Sequence, residues 1–249
     1  PGGPSDFSEP AKYPANGVFD RTNTVWVGDV KYKDISGPDG VPDGVIDDYD
    51  KTNIGSPMPK FTFGWTNTFR YKNFDLSVFI NGSYGNKVYN YLSMKLTHMN
   101  SPWTNQLNAV NGRAQLVPIN PNKVYEDGTM WYNDVSNVMV ANPGASIPRA
   151  TINDPNDNDR ISDRYIEDGS YIRLKNISLG YTFPKKTIDK LGLSNLRIYA
   201  NIQNLLTITG YDGYDPEIGA STSSVNVYGL DNGRYPSPTV YSFGLNVSF

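Results

Sequence analysis

The residues best placed to do chemistry lie in one acidic stretch, Asp39-Gly40-Val41-Pro42-Asp43-Gly44-Val45-Ile46-Asp47-Asp48-Tyr49-Asp50. With Asp39 as the first position, Asp43 falls at the fifth, Asp47 at the ninth and Asp50 at the twelfth. Gly44 takes the sixth and the Val45 carbonyl the seventh. Hard calcium ions collect about six to eight oxygens from such a wrapped loop, and a glycine permits the sharp turn. The spacing makes Asp39, Asp43, Val45, Asp47 and Asp50 a candidate set of ligands for a structural calcium. Two positions depart from the pattern: Val41 has no side-chain oxygen at the third, and the twelfth is Asp rather than the longer Glu. Asp34 or Ser36, displaced by an insertion at Pro38, is available to compensate. The plainer alternative is a solvated turn, which Asp, Gly and Pro form without any ion.

Elsewhere reactive groups are sparse. The chain has no cysteine and one histidine, His98, which removes disulfides, thiolate metal sites and cysteine nucleophiles together. Carboxylate pairs occur from Asp154 to Asp159 and from Asp163 to Asp168, and paired carboxylates can hydrolyse glycosides. A turn-rich loop supplies them without catalysis, however, and no pattern marks a shaped pocket, so the chain is read as not an enzyme. Lys and Arg number 22 against 25 Asp and Glu, a net charge of -3, and this gives no basic field to hold nucleic acid. Trp103, Trp131 and Tyr132 sit mid-way along a long polar connection. Flat apolar rings with a polar tip suit stacking on a sugar or a peptide, and these three are the candidate ligand contacts, with packing of the loop itself as the alternative.

The elements that must position these residues are strands. Of the 249 residues, 13% are aromatic, and they lie among many Asn, Ser, Thr and Gly with few good helix formers. Mean hydropathy is -0.50, and no stretch approaches the roughly 18 apolar residues of a spanning helix. Phe61, Phe63, Trp65, Phe69 and Tyr71 alternate with Thr62, Gly64, Thr66, Thr68 and Arg70, interrupted on the apolar side by Asn67 alone. After Lys72-Asn73 the period resumes with Leu76, Val78, Ile80 and Tyr84, which predicts a hairpin. A third run carries Ile177, Leu179, Tyr181 and Phe183; a fourth, Leu196, Ile198, Ala200 and Ile202; and the last, Tyr241, Phe243, Leu245, Val247 and Phe249.

Runs of this length exceed the usual strand of a soluble sheet and match the roughly nine to eleven tilted residues that cross a bilayer. The links alternate between short and long. The expected layout is an extracellular segment 1–59 with the acidic loop, a barrel hairpin 60–85, a long extracellular loop 86–170, and three final strands in 171–249. Within the last, 184–195 would be a periplasmic turn and 206–239 an extracellular loop. Short inner turns and long outer loops are the plan of an outer-membrane barrel. Five strands cannot close one, because an open edge in lipid leaves amides unpaired, so the chain is expected to be a piece of a larger sheet; its opening on Pro1 with no leader agrees. The fold class is therefore all-β, a set of antiparallel transmembrane strands. A soluble sandwich alternates too, and a secreted, calcium-stabilised domain that binds carbohydrate is the alternative function.

Several linked segments resemble the late portion of the SusC/RagA family of TonB-linked outer-membrane transporters. They are Val30-Lys31-Tyr32-Lys33-Asp34, Ile54-Gly55-Ser56-Pro57-Met58-Pro59-Lys60-Phe61 and Phe74-Asp75-Leu76-Ser77. Tyr171-Ile172-Arg173-Leu174-Lys175-Asn176, Asn204-Leu205-Leu206-Thr207 and Tyr211-Asp212-Gly213-Tyr214-Asp215-Pro216-Glu217 follow in order. The resemblance implies a plugged barrel of roughly 22 strands, of which this chain supplies the C-terminal ones. It also implies location in the outer membrane of Bacteroidota, uptake of oligosaccharide or peptide, a SusD-like surface lipoprotein as lid, and a TonB complex acting through an N-terminal part that this chain lacks. In that family's pattern a final aromatic, here Phe249, serves as the membrane-insertion signal.

Overall fold

The computed structural model describes residues 25–44, 46–152, 154, 156–218 and 228–249. In chain order its strands are β1 (Phe61–Tyr71), β2 (Phe74–Tyr84), β3 (Lys87–Asn90), β4 (Leu116–Pro118), β5 (Val138–Val140) and β6 (Ile166–Asp168). There follow β7 (Tyr171–Thr182), β8 (Asn195–Thr209), β9 (Leu230–Asp231) and β10 (Val240–Ser248). Two short α-helices join them, α1 (Tyr91–Thr97) and α2 (Lys185–Ile188). No helix among the described residues is long and apolar enough to cross a membrane. The chain divides into two compact units, one of residues 1–54 and 92–165, the other of 55–91 and 166–249.

The second unit holds a five-stranded antiparallel sheet in the order β1-β2-β7-β8-β10. Its register puts like beside like. Phe74 faces Tyr181, Tyr181 faces Ile198, and Ile198 faces Leu245. The row beside it runs Leu76, Leu179, Ala200 and Phe243, and the next Val78, Ile177, Ile202 and Tyr241. Since side chains alternate between the faces of a strand, these rows make one continuous apolar surface. The opposite surface carries Ser77, Ser178, Asn201 and Ser242 in a single row. Trp65 is 56% and Phe243 85% exposed, so among the described residues the apolar surface has no cover. A sandwich would need it covered.

Two local devices keep the register. Gly82 lies on the apolar side, where an added Cβ would come 2.5 Å from the Phe63 ring and 2.6 Å from the Tyr171 carbonyl oxygen. Only a missing side chain lets the ring lie flat across the neighbouring strand. The second device is a bulge in β7 at Lys175, which falls between the pairs Phe79–Asn176 and Ile80–Leu174 and has no partner in β2; on its other side β8 spends two residues, Asn204 and Leu205, on the same stretch. Before it, Ile172 and Leu174 pair with Ile208 and Leu206; after it, Ile177 and Leu179 pair with Ile202 and Ala200. The extra residue, Lys175, shifts the period by one and keeps both halves of the strand apolar on the same side. Across from it Asn204 takes a positive φ of 51°, and β8 continues to Thr209, past the point where its alternation breaks in the sequence.

A small sheet of order β6-β3-β9 completes this unit. The other unit is built of loops around a modest core, Trp26, Val27 and Val138, against which Leu116, Trp131, Val135 and Val140 pack. β4 and β5 form its two-stranded sheet.

Candidate functional site

On the polar side of the large sheet, charged groups are paired across strands. The Arg197 guanidinium donates to Asp75 at 2.6 and 3.1 Å, reaching across β7 above Gly180, where an added Cβ would meet Arg197 at 2.3 Å. Further along, Arg173 is 3% exposed. It donates to Thr207 Oγ1 at 2.8 Å, to Glu217 at 2.7 Å and to Asp215 at 2.5 Å. Lys175 adds a bond to Glu217 at 2.8 Å. The backbone amides of Glu217 and Ser237 also donate to Asp215. Burial pushes the Asp215 carboxyl up, but Arg173 and these amides outweigh it and hold it below the usual range. The loop after β8 is thereby tied down onto the strand wall.

A second tie lies nearby in the same unit. Tyr211, 5% exposed, donates its hydroxyl to Asp231 at 2.5 Å, and the amides of Gly233 and Arg234 donate to the other oxygen of Asp231. Burial and the facing carboxylate raise the phenol well above its ordinary value, so it stays a donor. The Asp212 amide donates to Glu167, whose other oxygen accepts from Asn90.

The loop unit has a buried polar network in place of a large core. The Arg149 guanidinium meets Asp29 at 2.9 and 3.3 Å; burial nevertheless raises the Asp29 carboxyl above its usual value. Asn158, 2% exposed, donates to Asp29 and Asp154 and accepts from the Val30 amide and Asn156. His98 lies between Asp154, 2.7 Å from Nε2, and Asp159, 3.1 Å from Nδ1, and only a ring carrying both protons donates to both. Ligand atoms of these three lie within 4.8 Å of one another. The two carboxylates face opposite ring nitrogens, however, so an ion on either nitrogen would have one of them on its far side. Replacing Asn158 with Ala strips partners from Val30 and two carboxylates, and is expected to cost about 2–4 kcal/mol. Faster proteolysis within 92–165 would register it; an unchanged cleavage rate would contradict the network's role.

In the acidic stretch the described carboxylates have the following surroundings. Asp39 is an exposed residue at the loop tip, where the Gly40 amide donates to the Gly37 carbonyl. Val45 lies outside the described residues. Asp50 accepts from the amides of Ile35, Ser36 and Asp47, which hold its carboxyl low. Asp47 caps the short turn that begins at Asp48, while Asp43 lies close to Gly37. Asp34 Oδ2 accepts from the Gly44 amide at 2.6 Å, and its buried Oδ1 has no hydrogen-bond partner among the described residues. Carboxylates here mainly satisfy backbone amides.

No family model matches the chain. Individual proteins do. TonB-dependent receptor P3 of Formosa agariphila is 36% identical over 211 residues, 83% of this chain and 18% of that protein. TonB-dependent receptor P26 of the same organism is 33% identical over 90% of this chain and 20% of its own length. TonB-dependent receptor SusC of Bacteroides thetaiotaomicron is 29% identical over 83% of this chain. The chain belongs to the SusC/RagA family of TonB-dependent receptors. It spans between 17% and 20% of the length of the curated relatives it matches. Solved structures of the RagAB peptide transporter agree in fold, with a TM-score of 0.56 at 20% identity over 78% of this chain and 18% of that one. For the RagAB peptide importer in its 'closed-closed' state the score is 0.57 over 86% and 20%. The large sheet is thus a stretch of an antiparallel barrel wall.

In this receptor segment the three ring residues proposed as ligand contacts have different surroundings. Trp131 packs on the small core, edge-on to Tyr132 at 5.6 Å. Tyr132 is 45% exposed, its carbonyl accepting from Trp26 Nε1, and Trp103 is 91% exposed. Phe249 is exposed beside β8, its carbonyl accepting from the Ser194 hydroxyl. Arg173, Asp215 and Arg197 carry no catalytic or metal-binding pattern in the sequence. A charged residue of a strand whose flanks are apolar was the available signal.

Proposed function

We propose that the chain is part of the wall of an outer-membrane importer that takes up oligosaccharide or peptide, with a SusD-like lipoprotein as lid and energy from TonB. The observation that carries this is the uncovered apolar surface running across five antiparallel strands and interrupted on β1 at Asn67, with charges paired on the other side. Such a surface suits acyl chains, and the polar side suits a wetted interior. On this reading the protein resides in the outer membrane, and its loops position ligand without catalysing a reaction. The similarity to SusC and to the RagAB structures supports the same assignment. Cells producing the full-length receptor should accumulate labelled oligosaccharide or peptide only while TonB is intact, and a surface lipoprotein should co-purify with it. Uptake indifferent to TonB would overturn the reading.

Calcium in the acidic loop is proposed separately, with Asp34 supplying the oxygen expected of Asp39. The buried Asp34 Oδ1, which has no hydrogen-bond partner among the described residues, supports it. Calorimetric titration of the intact receptor should show calcium heat that weakens about tenfold or more in Asp43→Ala and Asp47→Ala. Identical heats, or none in the wild type, remove the ion.

A further inference from the structure

One end of the large sheet collects positive charge beside an apolar groove. Both short links lie there: Lys72-Asn73 between β1 and β2, and 183–194 between β7 and β8. The first link is bonded to the end of β7 from which the second departs, since the Thr182 amide donates to the Asn73 carbonyl at 2.9 Å. The links carry Lys72, Lys185, Lys186 and Lys190 against a single acid, Asp189. All four lysines are exposed, and the Lys72 ammonium lies 5.3 Å from the centre of the Tyr71 ring, a ring of the apolar surface. Immediately adjacent is a groove of about 550 Å³ bounded by Phe74, Tyr181, Ile198, Phe243 and Leu245, with the short side chain of Ala200 as its floor. The Phe74 and Tyr181 rings lie 4.7 Å apart along its border, tilted 51° to each other. Ile198 is two residues into the sheet from Leu196, where the Phe183 amide bonds, so at a rise of about 3.4 Å per residue the groove starts roughly 7 Å from the backbone of the second link; Phe74 at its border directly follows the first link.

We propose that this end of the sheet binds one anionic phospholipid, an acyl chain lying in the groove over Ala200 and the phosphate among Lys72, Lys185 and Lys186. Two observations meet here: the groove is apolar and sits on the surface assigned to lipid, and the exposed lysines of the two links lie at the same end of the sheet. Lysines near a bilayer each favour anionic lipid by about fivefold, so three together give a preference large enough to measure. The inference rests on the membrane reading of the apolar surface.

The test uses the full-length receptor, purified in detergent and exchanged into nanodiscs of phosphatidylglycerol mixed with phosphatidylcholine. Lipid retained after re-extraction is read by native mass spectrometry. Wild type should keep phosphatidylglycerol at least about tenfold over phosphatidylcholine. The combined Lys72→Gln, Lys185→Gln, Lys186→Gln variant should fall to about twofold or less, with unchanged insertion. Ala200→Phe, which fills the groove, should lower retention of both lipids while leaving the preference. Equal retention by wild type, or an unaltered preference in the triple variant, overturns the site. So does displacement by millimolar inorganic phosphate, which would mean that the headgroup binds without the groove. If the receptor is instead recovered soluble without detergent, the membrane reading itself fails, an outcome distinct from an inserted receptor that shows no preference.

Discussion

Arg173→Ala is expected to destabilise the strand-and-loop unit of the receptor by about 3–5 kcal/mol, the usual cost of leaving a buried charge without its partner. Arg173 is almost fully enclosed and serves Thr207, Asp215 and Glu217 at once. Without it, Asp215 stays 6% exposed with only backbone amides for company, and Lys175 alone cannot cover both acids. The loop between β8 and β10 should open, seen as new protease cleavage between Thr209 and Val240 and a lower melting temperature. Arg173→Lys keeps the charge but not the planar fork, and should fall between wild type and Ala. The pair also sets an acid limit. The Asp215 carboxyl is held below its ordinary 3.8, so its contribution is fully present above that value. It is lost as pH falls through the depressed folded value. Asp215→Asn should erase this acid-labile part, leaving a lower but flatter stability below pH 5. Equal melting of wild type and Arg173→Ala would show that the loop is held by other means.

Alternation made the wall legible in the sequence, because a half-exposed strand writes its two faces into every second residue. Runs beginning at Phe61, near Phe74 and at Tyr241 coincide with β1, β2 and β10. What periodicity could not show is the bulge at Lys175. Counted strictly, Ile172 and Leu174 fall out of phase with Ile177 and Leu179, and an extra residue in the strand is invisible until the partner strand is seen. The end of β8 was hidden for a related reason: Asn204, with its positive φ, interrupts the pattern although pairing resumes at Leu206 and Ile208.

The sites were less legible than the wall. Spacing alone makes Asp39 a candidate calcium ligand; in the structure Asp39 stands at an exposed tip, and Asp34 and Asp50 accept backbone amides. The network of Asp29, Arg149, Asn158, Asp154 and His98 joins residues over a hundred positions apart, and no local pattern reports such a meeting. Ring residues in loops signal ligand contact and core packing alike, and Trp131 shows why: its neighbours in space, not in sequence, decide which role it has.

The sharpest expectation concerns two adjacent residues of β7. Ile177 lies in the apolar row with Val78, Ile202 and Tyr241, while Ser178 lies in the polar row with Ser77, Asn201 and Ser242. Ile177→Lys should cost about 2–4 kcal/mol, the penalty for a lysine at the middle of the bilayer on a barrel's outer face. Ser178→Lys, one position along, should stay within about 0.5 kcal/mol if its ammonium enters a wetted interior. Folded receptor in the outer-membrane fraction, scored by heat-dependent gel mobility, reads both. A lysine at 177 would also damage a packed core, so the deciding variant is Ile177→Trp. Acyl chains move aside for an indole, and stability should hold to within about 0.5 kcal/mol. A close-packed protein neighbour does not move aside, and overpacking would cost about 1–3 kcal/mol. Loss of folded receptor on Ile177→Trp would therefore place protein, and not lipid, against this face.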